Sequence, residues 1–278
     1  MAPGALGLRS AEKTLVMGII NATPDSFYPE SRIQAPTEAL EYATRILAEG
    51  ADLIDVGGES SRPHSQSIGL DEELQRVLPV LEALSPLDAA ISIDTYRAET
   101  ARRALHCGAS LVNDITALRG DPKMASVIAE AECPCILMHM QGNPSTMQEA
   151  PAYEDVIDDL CAFFEERIAF AVEEGISEAA LWLDPGFGFG KTVAHNLEIL
   201  RRLDTFGQFG LPVVIGTSNK STIGAVLNLS ADERMEGTAA TVAIAIWNGA
   251  ACIRVHDVKA MARVARMVDA IKGQERYE

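Results

Sequence analysis

The chain has 278 residues, 47% hydrophobic and 23% charged, enough for one α/β barrel of ~250 residues without a second domain. Its net charge of −17 argues against general binding of nucleic acid or anionic membranes, although local Lys and Arg can still receive an anionic substrate. No apolar run approaches the ~20 residues of a membrane span, and Met1 to Ser10 is not built as a signal peptide, so a cytoplasmic protein is expected.

Apolar β-rich runs recur along the chain at 15–20, 53–56, 90–93, 110–112, 135–138, 180–183, 213–215 and 251–255. Amphipathic stretches lie between them at 37–49, 71–84, 98–107, 122–131, 153–174, 194–203, 232–247 and 258–271. Strand and helix therefore alternate, and strands this continuously apolar are buried on both faces, as in a parallel sheet. Eight such units without a composition break predict a single-domain (β/α)8 TIM barrel over 1–278, the barrel itself covering about 15–272. A doubly wound open sheet is the alternative that a count of strands leaves standing. The five cysteines, Cys107, Cys133, Cys135, Cys161 and Cys252, are odd in number. Cys133-Pro-Cys135 has one intervening residue rather than the two of a redox motif, so all five read as reduced thiols with no metal site.

In such a barrel the chemistry belongs to the loops that follow the strands. Each run here ends in groups able to bind: Asn21 to Phe27, Gly57 to Pro63, Asp94-Thr95-Tyr96, Asn113-Asp114, His139 to Pro144, Asp184 to Thr192, Thr217 to Ser221, and Arg254 to Asp257. Any one of these is explicable as a helix cap or turn. All eight together define one shared face. Within it, Asp-Pro-Gly-Phe-Gly-Phe-Gly-Lys-Thr (184–192) joins a strand end, a glycine turn and a helix start. Its glycines allow close backbone approach to a flat ligand and its phenylalanines can wall one. The spacing is not that of a P-loop.

These motifs resemble those of the dihydropteroate synthases, members of the pterin-binding (β/α)8 family. The resemblance rests on Asn-x-Thr-Pro-Asp-Ser-Phe, Gly-Gly-Glu-Ser-x-Arg-Pro, Ser-Ile-Asp-Thr, Met-His-Met-Gln-Gly-x-Pro, Asp-Pro-Gly-Phe-Gly-Phe-Gly-Lys and Arg-Val-His-Asp, and covers about 15–271. It implies condensation of 6-hydroxymethyl-7,8-dihydropterin diphosphate with p-aminobenzoate, giving 7,8-dihydropteroate and diphosphate. Asp94, Asn113, Asp184, Lys220 and Arg254 match the family's pterin residues; carboxylates and an amide suit an edge rich in N–H donors. Asn21, Arg62, Arg254 and His256 match the diphosphate pocket, with Asn21 as the Mg2+ ligand. Phe27, Ser61, Arg62, Pro63, Phe189, Ser218 and Lys220 match the p-aminobenzoate side. The expected catalytic set is Lys220, Arg254, His256, Asp94 and Asp184, with His139 structural.

The resemblance implies a homodimer, which the apolar face Val258, Met261, Val264, Ala265 and Val268 suits, as it equally suits packing on the barrel. Three positions depart from the family: Tyr28-Pro29-Glu30-Ser31-Arg32 replaces a Ser-Asp-Gly-Gly run, His64 replaces a glycine, and Asn219 replaces an arginine. All three touch the second-substrate side. A pterin-binding relative with another acceptor or none, and a corrinoid-linked methyltransferase, are the rival readings.

Overall fold

A computed structural model describes residues 13–22, 36–61 and 65–273. The sequence-predicted residues Phe27, Arg62 and Pro63, and the departures at 28–32 and His64, lie outside the described residues. Along the chain run β1 (Leu15–Asn21), α1 (Pro36–Ala48), β2 (Leu53–Gly57), α2 (Leu70–Leu84), β3 (Ala90–Asp94), α3 (Ala98–His106), β4 (Leu111–Asp114) and α4 (Met124–Ala131). The second half follows as β5 (Cys135–Met138), α5 (Val156–Glu173), β6 (Leu181–Asp184), α6 (Val193–Arg201), β7 (Val214–Ile215), α7 (Ser221–Leu227), α8 (Met235–Trp247), β8 (Cys252–Val255) and α9 (Val258–Ile271).

All strand pairs are parallel, in the order β6-β5-β4-β3-β2-β1-β8-β7. A parallel bridge between Leu183 and Val213, with the Leu183 N–H donating to the Pro212 carbonyl at 2.9 Å, brings the two outer strands together. An open doubly wound sheet has no such contact between its edges. The fold is the (β/α)8 barrel.

Two differences from the sequence reading bear on the site. First, β1, β2, β3, β4 and β6 each run one or two residues past the apolar run, through Asn21, Gly57, Asp94, Asp114 and Asp184. The ladder carries them: Asn21 pairs with Gly57, Gly57 with Asp94 and Asp94 with Asn113, in one row across four strands. These polar residues are the last rungs of a rigid sheet rather than loop residues. Second, α7 is an unpredicted helix of seven residues that starts immediately after Lys220 and closes on Asn228 at φ +57. Its β-branched Thr222 and Ile223 and its internal Gly224 disguise it as loop.

The core has two parts. One lies between strands and helices, where Ile54, Val56, Val77, Leu81 and Phe164 are fully buried. The other plugs the barrel itself with Leu15, Met17, Leu53, Leu111, Ile136, Trp182, Val214 and Cys252. Side chains alternate along a strand, so the next inward position after Leu53 is Asp55, after Leu111 Asn113, after Trp182 Asp184, and after Cys252 Arg254. The polar site therefore rests directly on an apolar floor. On α9, Val258, Met261, Ala265 and Val268 are buried and Val264 packs partly buried against the barrel core. That face serves the barrel. The exposed apolar side chains nearby are Ile244, Trp247, Met267 and Ile271.

Candidate active site

Arg254 is the hub of the barrel mouth. Its Nε donates to Asp55 Oδ2 at 2.6 Å and its Nη2 to Asp94 Oδ2 at 2.8 Å. A guanidinium can bridge two carboxylates on different strands; a lysine ammonium lacks that fork. Asn113 Nδ2 donates to the same Asp55 oxygen at 3.2 Å. Burial works against the charge of Arg254, but Asp55 and Asp94 outweigh it and hold its pKa above the ordinary value. Burial raises Asp94 to about 7; Arg254 pulls it down, and Asp55, Glu73 and Asp114 add to the rise.

Asp184 closes the circle from β6. Its Oδ1 accepts the Gly186 N–H at 2.7 Å, and burial raises its pKa against the opposing pull of Lys220. The stretch after it is held at every carbonyl from Phe187 to Gly190. Lys220 Nζ donates to Phe187 O, Gln148 Nε2 to Gly188 O at 2.6 Å, Lys191 Nζ to Phe189 O at 3.0 Å, and Tyr153 OH to Gly190 O at 2.7 Å. Gly186 sits at φ +67, where a Cβ would collide with the His139 carbonyl oxygen, so glycine is required there. Lys220 Nζ also lies 4.4 Å from the centre of the Phe189 ring. Burial lowers Lys220 to about 8, with Asp184 opposing that shift.

On the β7–β8 side, Ser218 is buried and its Oγ lies 3.1 Å from His256 Nδ1. The same Oγ accepts the His256 backbone N–H at 3.3 Å. Asn21 ends β1 in the row with Gly57 and Asp94. Ser61 is half-buried at the edge of the β2–α2 loop. Phe189 packs partly buried against Ile115, Met138, Met140 and Met147. Asn219 takes φ +56, which asparagine tolerates, and its N–H donates to Thr238 Oγ1 at 3.1 Å.

Two residues escaped the sequence reading. Asp55 stood inside a run read as continuous apolar strand, yet it is fully buried and holds both Arg254 and Asn113. An acid two residues after an inward Leu53 was the available signal. Its Oδ1 has no hydrogen-bond partner among the described residues. Lys191 closes the Asp-Pro-Gly-Phe-Gly-Phe-Gly-Lys motif, which by itself assigns it no partner. It is buried, with Nζ 2.9 Å from His139 Nδ1, and burial first, then Lys220, lowers its pKa well below the ordinary lysine value. His139 is pushed down to about 2 by burial and by Lys191 and Arg119, and it meets Phe163 edge-on at 4.7 Å. Its ring pairs with Lys191 at 2.9 Å, and its carbonyl oxygen lies against Gly186 of the glycine stretch.

A family model described as pterin binding enzyme matches residues 17–256. The dihydropteroate synthase of Escherichia coli K12 is 45% identical over 267 residues, covering 95% of this chain and 94% of that protein. The structure of Yersinia pestis dihydropteroate synthase in complex with a sulfonamide drug superposes with a TM-score of 0.91 at 43% identity, covering 94% of this chain and 95% of that one. That of the Xanthomonas albilineans dihydropteroate synthase with 4-aminobenzoic acid gives 0.87 at 38% identity and 94% coverage of each chain.

Proposed function

This chain belongs to the pterin-binding enzyme family and acts as a dihydropteroate synthase, and we propose that Asp94, Asn113, Asp184, Lys220 and Arg254 hold its pterin. The reaction joins 6-hydroxymethyl-7,8-dihydropterin diphosphate to p-aminobenzoate and releases diphosphate. The observation that carries the residue assignment is the convergence of Asp55, Asp94, Asn113, Asp184 and Arg254 on one mouth above the apolar floor. A pterin edge presents an amine and ring N–H donors, and these carboxylates and the amide offer acceptors to it. Asp55 Oδ1, buried without a partner among the described residues, is a further acceptor whose desolvation cost a donor-rich ring would relieve.

The chemistry at the pterin CH2 is a substitution. The C–O bond breaks with the electron pair leaving on diphosphate, the amine nitrogen of p-aminobenzoate bonds to carbon, and its surplus proton goes to solvent. The electron-rich dihydropterin supports positive charge at that carbon, so no strong base is required. Asp94 and Asp184 favour the cationic ring, while Arg254 and His256 stabilise the charge on the departing diphosphate. Lys220, half-buried at the N-cap of α7 and still cationic below about 8, reaches the pterin carbonyl from the loop after β7. No covalent nucleophile enters.

Mg2+ fits this donor set as an ion that arrives on the diphosphate. Among the described residues no group of three or more His, Cys, Asp or Glu is arranged to hold a metal. Asn21 supplies one hard amide oxygen at the strand end, which suits an ion that keeps its waters and substrate oxygens. Bound there, Mg2+ would neutralise diphosphate charge.

Ser61, Phe189, Ser218 and Lys220, with Phe27, Arg62 and Pro63 beyond the described residues, form the p-aminobenzoate side. The protein is a homodimer in this reading, supported by exposed Ile244, Trp247, Met267 and Ile271 on the α8–α9 side. A cytoplasmic location accords with the buried thiols of Cys133, Cys135 and Cys252 and with no described helix being long and apolar enough to cross a membrane.

The test is diphosphate release from the pterin diphosphate with Mg2+, with and without p-aminobenzoate. Release that requires p-aminobenzoate and yields dihydropteroate is expected. Pterin binding without that dependence would leave a pterin-binding protein with another acceptor.

A further inference from the structure

Arg97 has no hydrogen bond to the pterin residues, yet among the described residues it is the most heavily bonded cation on the site side of the barrel. It stands at the N-cap of α3, three residues after Asp94. Its Nη2 reaches Glu59 Oε2 at 2.7 Å and the Ile68 carbonyl at 2.6 Å, and its Nη1 reaches Glu73 Oε2 at 3.0 Å. The guanidinium also lies over the Tyr96 ring at 4.5 Å, and the Tyr96 hydroxyl donates to Glu59 Oε1 at 2.9 Å. Glu59 is the second residue after β2 and Ile68 the second before α2. One side chain thus gathers both ends of the β2–α2 loop.

The other end of the link is equally fixed. Glu73 on α2 is buried and accepts Thr95 Oγ1 at 2.8 Å and Thr100 Oγ1 at 2.7 Å, besides Arg97. Thr95 directly follows Asp94. A continuous chain of charge-assisted bonds therefore runs from the pterin carboxylate's neighbour through Glu73 and Arg97 to the two loop ends. Such bonds among sheltered charges are strong and costly to leave half made. Asp94, Asn113 and Arg254 are bonded to one another, or through Asp55, without Arg97.

We propose that Arg97 is a positioning residue for the second substrate, setting the β2–α2 loop against the pterin floor through Glu59, Ile68 and Glu73. The inference rests on the reading above that Ser61 and its neighbours form the p-aminobenzoate side. It predicts a split: loss of Arg97 loosens the acceptor side and leaves pterin binding in place.

The experiment compares wild type, R97M, R97K and E59Q, reading KM for p-aminobenzoate at saturating pterin diphosphate and calorimetric Kd for 6-hydroxymethylpterin. R97M is expected to raise KM about tenfold or more, with kcat within about threefold and pterin Kd within about twofold. R97K keeps the charge but cannot span three acceptors, so its KM rises by about threefold. E59Q keeps the shape, frees one loop end and gives a similar rise, and decides the matter if R97M does not fold. An unchanged KM in these variants overturns the proposal. So does a parallel loss of pterin affinity, which marks a general structural role. Wild type lacking p-aminobenzoate-dependent turnover would instead defeat the functional reading beneath it.

Discussion

Replacing Asp184 by asparagine isolates what the pterin carboxylate contributes. Oδ1 accepts the Gly186 N–H at 2.7 Å, and an asparagine oxygen can accept that same bond. The glycine stretch, pinned independently by Gln148, Tyr153 and Lys191, should keep its shape. At the other oxygen a donor NH2 replaces an acceptor and faces a donor-rich ring edge. The lost hydrogen bond to a charged group is worth about 1.5–3 kcal/mol, and a buried donor left facing a donor adds about 1–3 kcal/mol. Taking the middle of these ranges gives about 4 kcal/mol, about three orders of magnitude in affinity. Calorimetry with 6-hydroxymethylpterin measures it directly, alongside thermal melting to confirm that the fold is kept. D184N should also drop the pKa of Lys220 below its value of about 8, because Asp184 is the first group that holds it up. An affinity within about threefold of wild type, with an unchanged melting curve, would refute the assignment of Asp184 to the ring edge.

The pH profile of kcat/KM for the pterin diphosphate should be a narrow bell. Ionised Asp94 requires pH above about 7 and charged Lys220 pH below about 8, the two limbs belonging to a coupled set. The linked stability has definite signs. Asp94, raised from 3.8, contributes stability present below that ordinary value and lost as pH rises through about 7; Lys220, lowered from 10.5, contributes stability present above that value and lost as pH falls through about 8. A flat profile from pH 6 to 9, a span of about three units around these values, would contradict the charge assignments. Gly186→Ala and Gly210→Ala form a matched pair, since both glycines have φ near +65 but only Gly186 has backbone against its missing Cβ. G210A should cost about 1 kcal/mol and G186A more than about 3 kcal/mol in urea denaturation; equal costs would show that the Gly186 approach to His139 can relax.

Much of the barrel was legible because burial on both faces writes strands as unbroken apolar runs, and the intervening helices carry their own period. The strand ends were less legible. Sequence reading stops a strand where hydrophobicity stops, whereas the ladder continues through Asn21, Asp94, Asp114 and Asp184 because backbone pairing is indifferent to the side chain above it. The shift of one or two residues changes the physical picture: a carboxylate on a loop can move, while one on the last rung is held by its neighbours.

Asp55 shows where motif reading and strand geometry part. An acid within Leu-Ile-Asp-Val-Gly breaks no apolar run badly enough to end it, and the residue is absent from the loops that carry the family's motifs. Parity places it inside the barrel all the same, one step above Leu53 in the floor and one below Gly57 at the rim. Buried alone, its carboxylate would be expensive; paired with Arg254 and Asn113 it becomes the fixed point from which both are aimed. The same reasoning covers Lys191, whose Nζ has no salt-bridged acid among the described residues and leans on the His139 ring and two carbonyls. Both residues act by holding other site residues, so their signal lies in what an inward position beside an apolar floor must be bonded to, which only the closed barrel reveals.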